Sequence, residues 1–135
     1  MSKLIIHGAH NTRTSRVIWM ALELGLDFEH NNFHYSTGGT QTPEFLAINP
    51  NGTLPAIQDG DLCLFESLAI NLYLANKHGG DMGPRDDAEM GLATQWSFWA
   101  ATEVESTALE ALKNRLLLPE AERDEAVVAA AEARL

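Results

Sequence analysis

Two short apolar runs, separated by a polar turn and followed directly by a helical pattern, constrain the fold of this chain most strongly. The stretch NGTLPAIQDGDLCLFE places PAIQ and LCLF on either side of DGD, which predicts a β-hairpin. SLAINLYLANKH follows at once with helical spacing of its apolar residues. Pro55 stands at the start of the first strand, although proline cannot donate a ladder hydrogen bond. Either Pro55 ends the pairing at this strand entrance, or it leaves a backbone edge open for a ligand.

The residues before the hairpin predict a strand, a helix, a second strand and a short helical turn. Gly25 stops the first helix, and NPNG is a strong turn signal just before the hairpin. The predicted segments are, in order, the strand KLIIHG, the helix SRVIWMALELGL, the strand FEHNNF, the polar loop HYSTGGTQT and the helical turn PEFLAI with proline in its first position. Strands and helices that alternate in this way predict an α/β domain with a mixed sheet covered by helices.

A glycine-rich break, GGDMGP, separates this part from an acidic helical part. Asp86 and Asp87 are N-cap candidates for the next helix. From Met90 to Leu116 apolar residues recur every three or four positions, which predicts one long helix with a continuous apolar stripe. A further helix is predicted with Pro119 at its start, and the chain ends within that pattern. Two helices cannot bury their own faces, so we expect this part to be the beginning of a larger domain.

Composition excludes several classes of protein. The 135 residues are 45% apolar, enough for a solid core, and carry a formal net charge of −10. Without a dense basic patch, neither nucleic acid nor an anionic membrane surface is an expected partner. The opening MSKLIIHGAH lacks the apolar run of a signal peptide or membrane span, so we expect a cytoplasmic protein. Cys63, the only cysteine, cannot form an internal disulfide, and its apolar strand predicts a buried thiol. The five histidines show no metal-ligand spacing, and we predict no metal.

Three of these segments, NPNGTLPAI, FESLAINLYLA and SRVIWMALELGL, resemble the glutathione S-transferase family, in the type found in bacteria. The resemblance covers about the first 85 residues, and the surroundings of Trp96 resemble the first helix of the family's all-helical second domain. It implies a thioredoxin-like βαβ-ββα domain with a mixed four-stranded sheet, followed by an incomplete all-α domain. We therefore expect a glutathione-binding domain at 1–79, a linker at 80–85 and the first helices of a truncated second domain at 86–135.

The predicted glutathione site lies around the hairpin and the helix that follows it. The resemblance implies a cis Leu54–Pro55 bond, which would turn the main-chain N–H and C=O of Leu54 outward to pair with the tripeptide. Ser67 can cap the third helix, whose free N–H groups form an anion site, and Glu66 would face a cation. These two residues fit the carboxylate and the ammonium of a γ-glutamyl group, although an ordinary serine cap beside a solvated glutamate would give the same pattern.

Two further sets of residues complete the predicted site. Thr40, Gln41 and Thr53 align with positions that contact the glycyl end of glutathione in similar proteins. The family stabilises the glutathione thiolate with a tyrosine, serine or cysteine between the first strand and the first helix. This chain has HNTRTSR there, so the role falls to Asn11 or Thr12, with Ser15 in third place. Asn11 and Thr12 could equally be ordinary loop and N-cap residues.

The resemblance implies a homodimeric glutathione transferase that attacks an apolar electrophile and needs no cofactor beyond glutathione, its co-substrate. Two other functions stay open. The first is a glutathione-dependent disulfide-bond oxidoreductase or peroxidase, which needs no protein thiol. The second is a non-catalytic binding module that uses the same fold to dock a partner.

Overall fold

The computed structural model describes residues 3–135, which form two compact units. The first unit ends at Asp87, and the second comprises Ala88–Leu135. We describe each unit by itself.

A four-stranded mixed sheet forms the centre of the first unit, as predicted. Its strands are β1 (Leu4–His7), β2 (Phe28–Asn31), β3 (Ala56–Asp59) and β4 (Leu62–Phe65), in the spatial order β2-β1-β3-β4. β1 runs parallel to β2 and antiparallel to β3, which forms an antiparallel hairpin with β4. Gly60 adopts a φ of 63° in the hairpin turn, a conformation that a side chain disfavours. The predicted hairpin is therefore confirmed, although β3 begins one residue after Pro55.

Three helices belong to this unit: α1 (Thr14–Glu23), α2 (Pro43–Ile48) and α3 (Ser67–His78). Thr42 caps α2 by accepting a hydrogen bond from the Phe45 N–H, and Pro43 takes the first helical position as predicted. The core between the sheet and the helices consists of Leu4, Ile6, Val17, Ala21, Ile57, Ile70 and Leu74. Each of these residues is at most 7% exposed, so strands and helices contribute to one dry interior.

The segment predicted as a polar loop, HYSTGGTQT, contains two single 3₁₀ turns, Tyr35–Thr37 and Gly39–Gln41. Gly38 lies between them with a φ of 78°. Glycine accommodates this left-handed conformation more easily than other residues do, and Thr40, in the second of the two turns, is buried.

The second unit is helical from α4 (Asp87–Trp99) through α5 (Glu105–Leu112). The long helix predicted from Met90 to Leu116 is helical throughout, although π-helical turns at Ala100–Val104 and Lys113–Leu117 interrupt its α-helical pattern. The predicted stripe advances mostly by four residues. A spacing of four residues is longer than one α-helical turn of 3.6 residues, so the stripe would drift around a purely α-helical cylinder. The wider π-helical turns, closed by i→i+5 hydrogen bonds, reduce this drift.

The last helix begins later than predicted. Pro119 precedes a 3₁₀ turn at Glu120–Glu122, and α6 spans Glu125–Glu132. Asp124 is its N-cap, since the carboxylate accepts hydrogen bonds from the N–H groups of Ala126 and Val127. An aspartate that satisfies two orphan donors defines the helix start better than the proline does.

The second unit buries few of its large side chains. α5 and α6 pack together through Thr107, Ala111, Val128 and Ala131. The large apolar residues left at least 43% exposed are Leu92, Trp96, Phe98, Trp99, Leu112, Leu116, Leu117 and Leu135. Within the described part of the chain, none of the helices is both long enough and apolar enough to cross a membrane.

Candidate functional site

The entrance to β3 presents a main-chain donor and acceptor that the fold does not use. The Leu54–Pro55 bond is cis, and Pro55 is buried directly before the ladder that Ala56 forms with His7 and Phe65. Among residues 3–135, neither the N–H nor the C=O of Leu54 takes part in a hydrogen bond. Unpaired main-chain groups beside a sheet are suited to pair with an extended peptide.

Gly8 lets the loop after β1 approach this entrance closely. Its φ is 125°, and a Cβ at this position would lie 2.2 Å from the Thr14 hydroxyl oxygen and 3.2 Å from Leu54 Cδ2. Only glycine fits so close to two neighbours at this φ. The close contact therefore places the loop that carries Asn11 and Thr12 against the Leu54 side of the site.

A single residue, Glu66, joins β4 to α3 and makes the sharp turn between them. Its φ of 72° and ψ of 111° are unfavourable for a side chain that carries a Cβ, and no other non-glycine residue in the described range has a positive φ. Backbone strain of this kind costs about 1–3 kcal/mol and is concentrated at functional sites. The turn leaves the Glu66 side chain exposed at the start of α3.

The prediction that Ser67 caps α3 is wrong. It is the first helical residue and Glu66 occupies the N-cap position, and no side chain among residues 3–135 caps this helix. The reason is the one-residue turn, which puts Ser67 inside the helix, where its Oγ accepts a hydrogen bond from Arg16 Nη1 at 3.3 Å. Since side-chain caps are missing, the first N–H groups of this twelve-residue helix are available to an anion. Ser67 itself is 4% exposed.

The two candidate thiol-activating residues in the loop after β1 differ in their hydrogen bonds. Thr12 Oγ1 donates its only proton to the Ala9 carbonyl oxygen at 2.7 Å and lies 2.8 Å from Thr14 Oγ1, which must then be the donor of that pair. Thr12 Oγ1 also accepts from the Thr14 N–H at 3.2 Å. Asn11 is exposed, and its side chain has no hydrogen bond to any residue in 3–135. Only the Asn11 amide can therefore donate without breaking an existing bond.

Asn49 organises the turn before the cis bond, a role that the sequence analysis missed. The side chain is fully buried, and its Nδ2 donates to the Thr53 carbonyl oxygen at 2.8 Å and to Thr53 Oγ1 at 3.2 Å. Its Oδ1 accepts from the Asn51 N–H at 3.0 Å. The NPNG turn signal marked this segment, but no pattern in it distinguished a buried asparagine from a solvated one.

Gln41 links the two loops that carry the remaining predicted residues. Its Nε2 donates to Thr40 Oγ1 at 3.3 Å and to the Gly52 carbonyl oxygen at 3.4 Å. Thr40 is 2% exposed, whereas Thr53 is exposed. Through Gln41 and Asn49, the structure brings Thr40, Gln41 and Thr53 together with the entrance to β3.

His7 is a second buried polar residue that sequence reasoning did not single out. Its Nε2 donates to Gln58 Oε1 at 2.9 Å and its Nδ1 accepts from Asn31 Nδ2 at 3.1 Å, which defines a neutral ring. Burial lowers the pKa of His7, although the Gln58 hydrogen bond and the Glu29 carboxylate oppose this shift. His7 immediately precedes Gly8, so the neutral ring supports the base of the site loop.

An ion pair lies on another part of the first unit. Lys77 Nζ is 2.6 Å from Asp59 Oδ2, which also accepts from the Tyr73 hydroxyl at 2.8 Å. The Lys77 hydrogen bond is the main cause of the lowered pKa of Asp59, and the same bond raises the pKa of Lys77.

Cys63 is exposed, so its predicted burial is wrong. It lies on β4, which is an edge strand in the order β2-β1-β3-β4 of the described sheet, and an apolar sequence on an edge strand does not ensure burial. Within the described range no three or more His, Cys, Asp and Glu side chains are arranged to hold a metal ion.

Comparison with known proteins agrees with this geometry. The family profile described as glutathione S-transferase, N-terminal domain, matches residues 3–76. The chain belongs to the glutathione S-transferase family. The match covers the whole sheet, the cis bond and the start of α3, and it confirms the resemblance read from the sequence.

Similar proteins come from plants and bacteria. "Glutathione S-transferase 3" of Zea mays is 48% identical over 66 residues, covering 49% of this chain and 30% of the maize protein. A glutathione S-transferase of Silene vulgaris is 34% identical over 117 residues, covering 82% of this chain and 52% of its own length. The crystal structure of a theta class glutathione S-transferase from Xanthomonas axonopodis pv. citri with glutathione bound has a TM-score of 0.86 and 35% identity, covering 99% of this chain and 65% of that chain.

The likeness to the Xanthomonas structure confirms the predicted thioredoxin-like fold with a helical second part. The chain spans about half the length of the Silene relative and about two thirds of the Xanthomonas structure.

Proposed function

We propose that this chain binds glutathione across the β3 entrance and the start of α3. The observation that carries the proposal is that the N–H and C=O of Leu54 have no hydrogen-bond partner among residues 3–135, so they can pair with the main chain of the tripeptide. The solved Xanthomonas relative contains glutathione, which supports the choice of ligand. In this assignment residues 1–79 form the glutathione-binding domain, 80–85 the linker and 86–135 the first helices of an all-α domain.

Glutathione has a zwitterionic γ-glutamyl end and a glycyl end, and we assign each end to a different set of residues. The γ-glutamyl carboxylate would lie at the N-terminus of α3 beside Ser67, where free N–H groups favour an anion. The ammonium would face the exposed Glu66 carboxylate, which the strained turn holds in position. The glycyl end would reach Thr40, Gln41 and Thr53, which the Asn49 and Gln41 hydrogen bonds bring together.

The chemical task is to keep the glutathione sulfur as a thiolate near neutral pH. Lowering a thiol pKa by one unit takes about 1.4 kcal/mol of differential stabilisation, which a good hydrogen-bond donor can supply. We assign this role first to the Asn11 amide, because the Thr12 proton is used by the Ala9 carbonyl. Thr12 is the second candidate and would have to exchange that bond for one to sulfur.

The reaction proposed is the attack of this thiolate on an electrophilic carbon. The sulfur donates an electron pair to form the C–S bond, and the leaving group departs with the electrons of the bond that breaks. We further propose an apolar electrophile, a homodimer, a cytoplasmic location and the bacterial type within the family. A turnover assay with a mixed disulfide and an aryl halide tests the reaction class, since turnover of the disulfide alone favours the oxidoreductase and turnover of neither favours a binding module.

Calorimetric titration with glutathione tests the site directly. We expect Ser67→Ala to weaken binding about tenfold, the effect of losing one hydrogen bond to a charged group. Ser106→Ala, an exposed serine of the second unit, is the matched control and should bind like the wild type. Equal affinity in the two variants would remove Ser67 from the site.

The thiolate is tested by its ultraviolet absorbance in the bound state as pH is varied. We expect Asn11→Ala to raise the pKa of bound glutathione more than Thr12→Val does. The opposite order would assign thiol activation to Thr12, and no change in either variant would remove both residues from that role.

A further inference from the structure

Arg16, on α1, makes two hydrogen bonds with the first two turns of α3. Its Nη1 donates a hydrogen bond to Ser67 Oγ at 3.3 Å, across 51 residues of sequence. One helical turn beyond Ser67, Asn71 Nδ2 donates to the Arg16 carbonyl oxygen at 3.4 Å. Arg16 therefore connects α1 to both residues through its side chain and its main chain, and fixes where the start of α3 lies.

The direction of the Arg16–Ser67 hydrogen bond determines what the serine hydroxyl can do. A guanidinium group has only donors, so Ser67 Oγ must be the acceptor in this pair. The hydroxyl has one proton, which no residue in the described range accepts. Ser67 is 4% exposed and lies beside the free N–H groups of α3, so an acceptor at that helix end is the group this proton can meet.

We propose that Arg16 is a positioning residue, which holds the Ser67 hydroxyl as a hydrogen-bond donor to the γ-glutamyl carboxylate of glutathione. The inference rests on the proposed function, because it takes glutathione as the ligand. Arg16 acts through Ser67 in this arrangement and does not contact glutathione itself. A serine without this partner could rotate its hydroxyl toward a nearby carbonyl group and lose its orientation toward the ligand.

A double-mutant cycle tests whether Arg16 acts through Ser67. Glutathione affinity is measured by calorimetry on the full chain for the wild type, Ser67→Ala, Arg16→Met and the double variant. Methionine retains an apolar stem but removes the charge and the donors. We expect each single variant to bind about tenfold more weakly, and the double variant to bind no more weakly than Ser67→Ala alone. Losses that multiply to about a hundredfold would mean that Arg16 acts independently of Ser67, and would overturn the proposal.

A ligand analogue separates positioning from a purely structural role. In the analogue, an amide replaces the γ-glutamyl carboxylate of glutathione. The wild type should prefer glutathione about tenfold over the analogue, and this preference should be smaller in both Arg16→Met and Ser67→Ala, which retain only the N–H groups of α3 as donors to the carboxylate. Arg16→Lys, which retains a donor and the charge, should recover part of it. An unchanged preference in Arg16→Met would overturn the proposal, even if that variant were less stable.

The same measurements distinguish failure of this inference from failure of the proposed function. A wild-type chain that does not bind glutathione contradicts the proposed function, and the role of Arg16 falls with it. A wild type that binds, together with an Arg16→Met variant of equal affinity and selectivity, contradicts only the role of Arg16. Arg134→Met, which removes the same charge from an exposed position of the second unit, should match the wild type.

Discussion

The two units of this protein differ in how far they bury their large apolar side chains. In the first unit Ile6, Val17, Ile57, Ile70 and Leu74 are fully buried between the sheet and its helices. In the second unit several large apolar side chains, Trp96 and Phe98 among them, are more than half exposed, and the buried residues are small or medium in size. A helical stripe indicates which face can be buried, whereas burial itself requires a surface that packs against it. The candidate site lies wholly in the unit that has its own large core.

The largest test of this contrast is a cavity in the first core. Ile70→Ala should lower the free energy of unfolding by about 2–5 kcal/mol, because Ile70 is 0% exposed and lies in the core cluster. Leu92→Ala in the second unit should change it by less than about 0.5 kcal/mol, since Leu92 is 55% exposed. Urea denaturation gives the totals, and hydrogen exchange shows which segments lose protection.

Hydrogen exchange also shows whether the two units open separately. If Ile70→Ala lowers protection only up to Asp87, the units open independently. An equal loss of protection across Ala88–Leu135 would show that they unfold together, and the contrast in burial would then not be a contrast in stability.

Two glycines, one from each unit, should respond to alanine in opposite directions. Gly8→Ala should destabilise the protein by about 1–3 kcal/mol, because its φ is 125° and the new Cβ would contact Thr14 Oγ1. Gly91→Ala should stabilise it by about 0.5–1 kcal/mol, since Gly91 lies within α4 with open space around it. Thermal unfolding of the two variants measures both signs. A stable Gly8→Ala variant would contradict the close approach described at the site.

A pH effect near neutrality should arise in the first unit, because the second unit contains no histidine. Burial lowers the pKa of His7, so the unfolded chain takes up this proton more readily than the folded chain does. Stability should therefore fall as the pH decreases through about 6.5, the ordinary value, and level off below the lowered pKa of the folded state.

His7→Gln should remove this loss between pH 7.5 and 5.5, as measured by urea denaturation at each pH. The exposed His78→Gln is the control and should keep the wild-type profile. The assignment to His7 fails if both variants retain the pH dependence.

The smallest effects concern one ion pair from each unit. Asp59→Asn keeps an acceptor for Tyr73 but removes the charge that faces Lys77, and it should lower stability at neutral pH. Because the pKa of Asp59 is lowered in the folded state, this contribution is present above about pH 4 and is lost as the pH falls through the lowered value. Acid titration of unfolding should therefore be flatter in Asp59→Asn than in the wild type.

The corresponding change in the second unit is Glu132→Gln, which removes the partner of Arg115. Both side chains of that pair are about half exposed, so the loss should be below about 1 kcal/mol. An effect of Glu132→Gln larger than that of Asp59→Asn would reverse the contrast between the two units.

Local sequence patterns were sufficient to predict secondary structure where a single residue determines the local backbone conformation. The strands around DGD, the proline at the start of α2 and the helix that begins after Glu66 followed from spacing and turn residues. Patterns failed where a distant neighbour decides. Cys63 looked buried but lies on an edge strand, where burial depends on residues far away in sequence. The start of α6 was misplaced for a local reason, because Asp124 caps this helix and Pro119 does not.

The sequence by itself determined the order of the elements, the family and most of the positions that form the candidate site. These depend on short-range signals that act within a few residues, such as NPNG before a strand and the Glu-Ser pair at the start of a helical run. Only the tertiary structure decided which polar groups are already paired. The Thr12 proton is used within its own loop, Ser67 meets Arg16 across 51 residues, and the main-chain groups of Leu54 have no partner among residues 3–135. A hydrogen bond depends on the distance and direction between two groups in space, and neither can be deduced from the order of the residues.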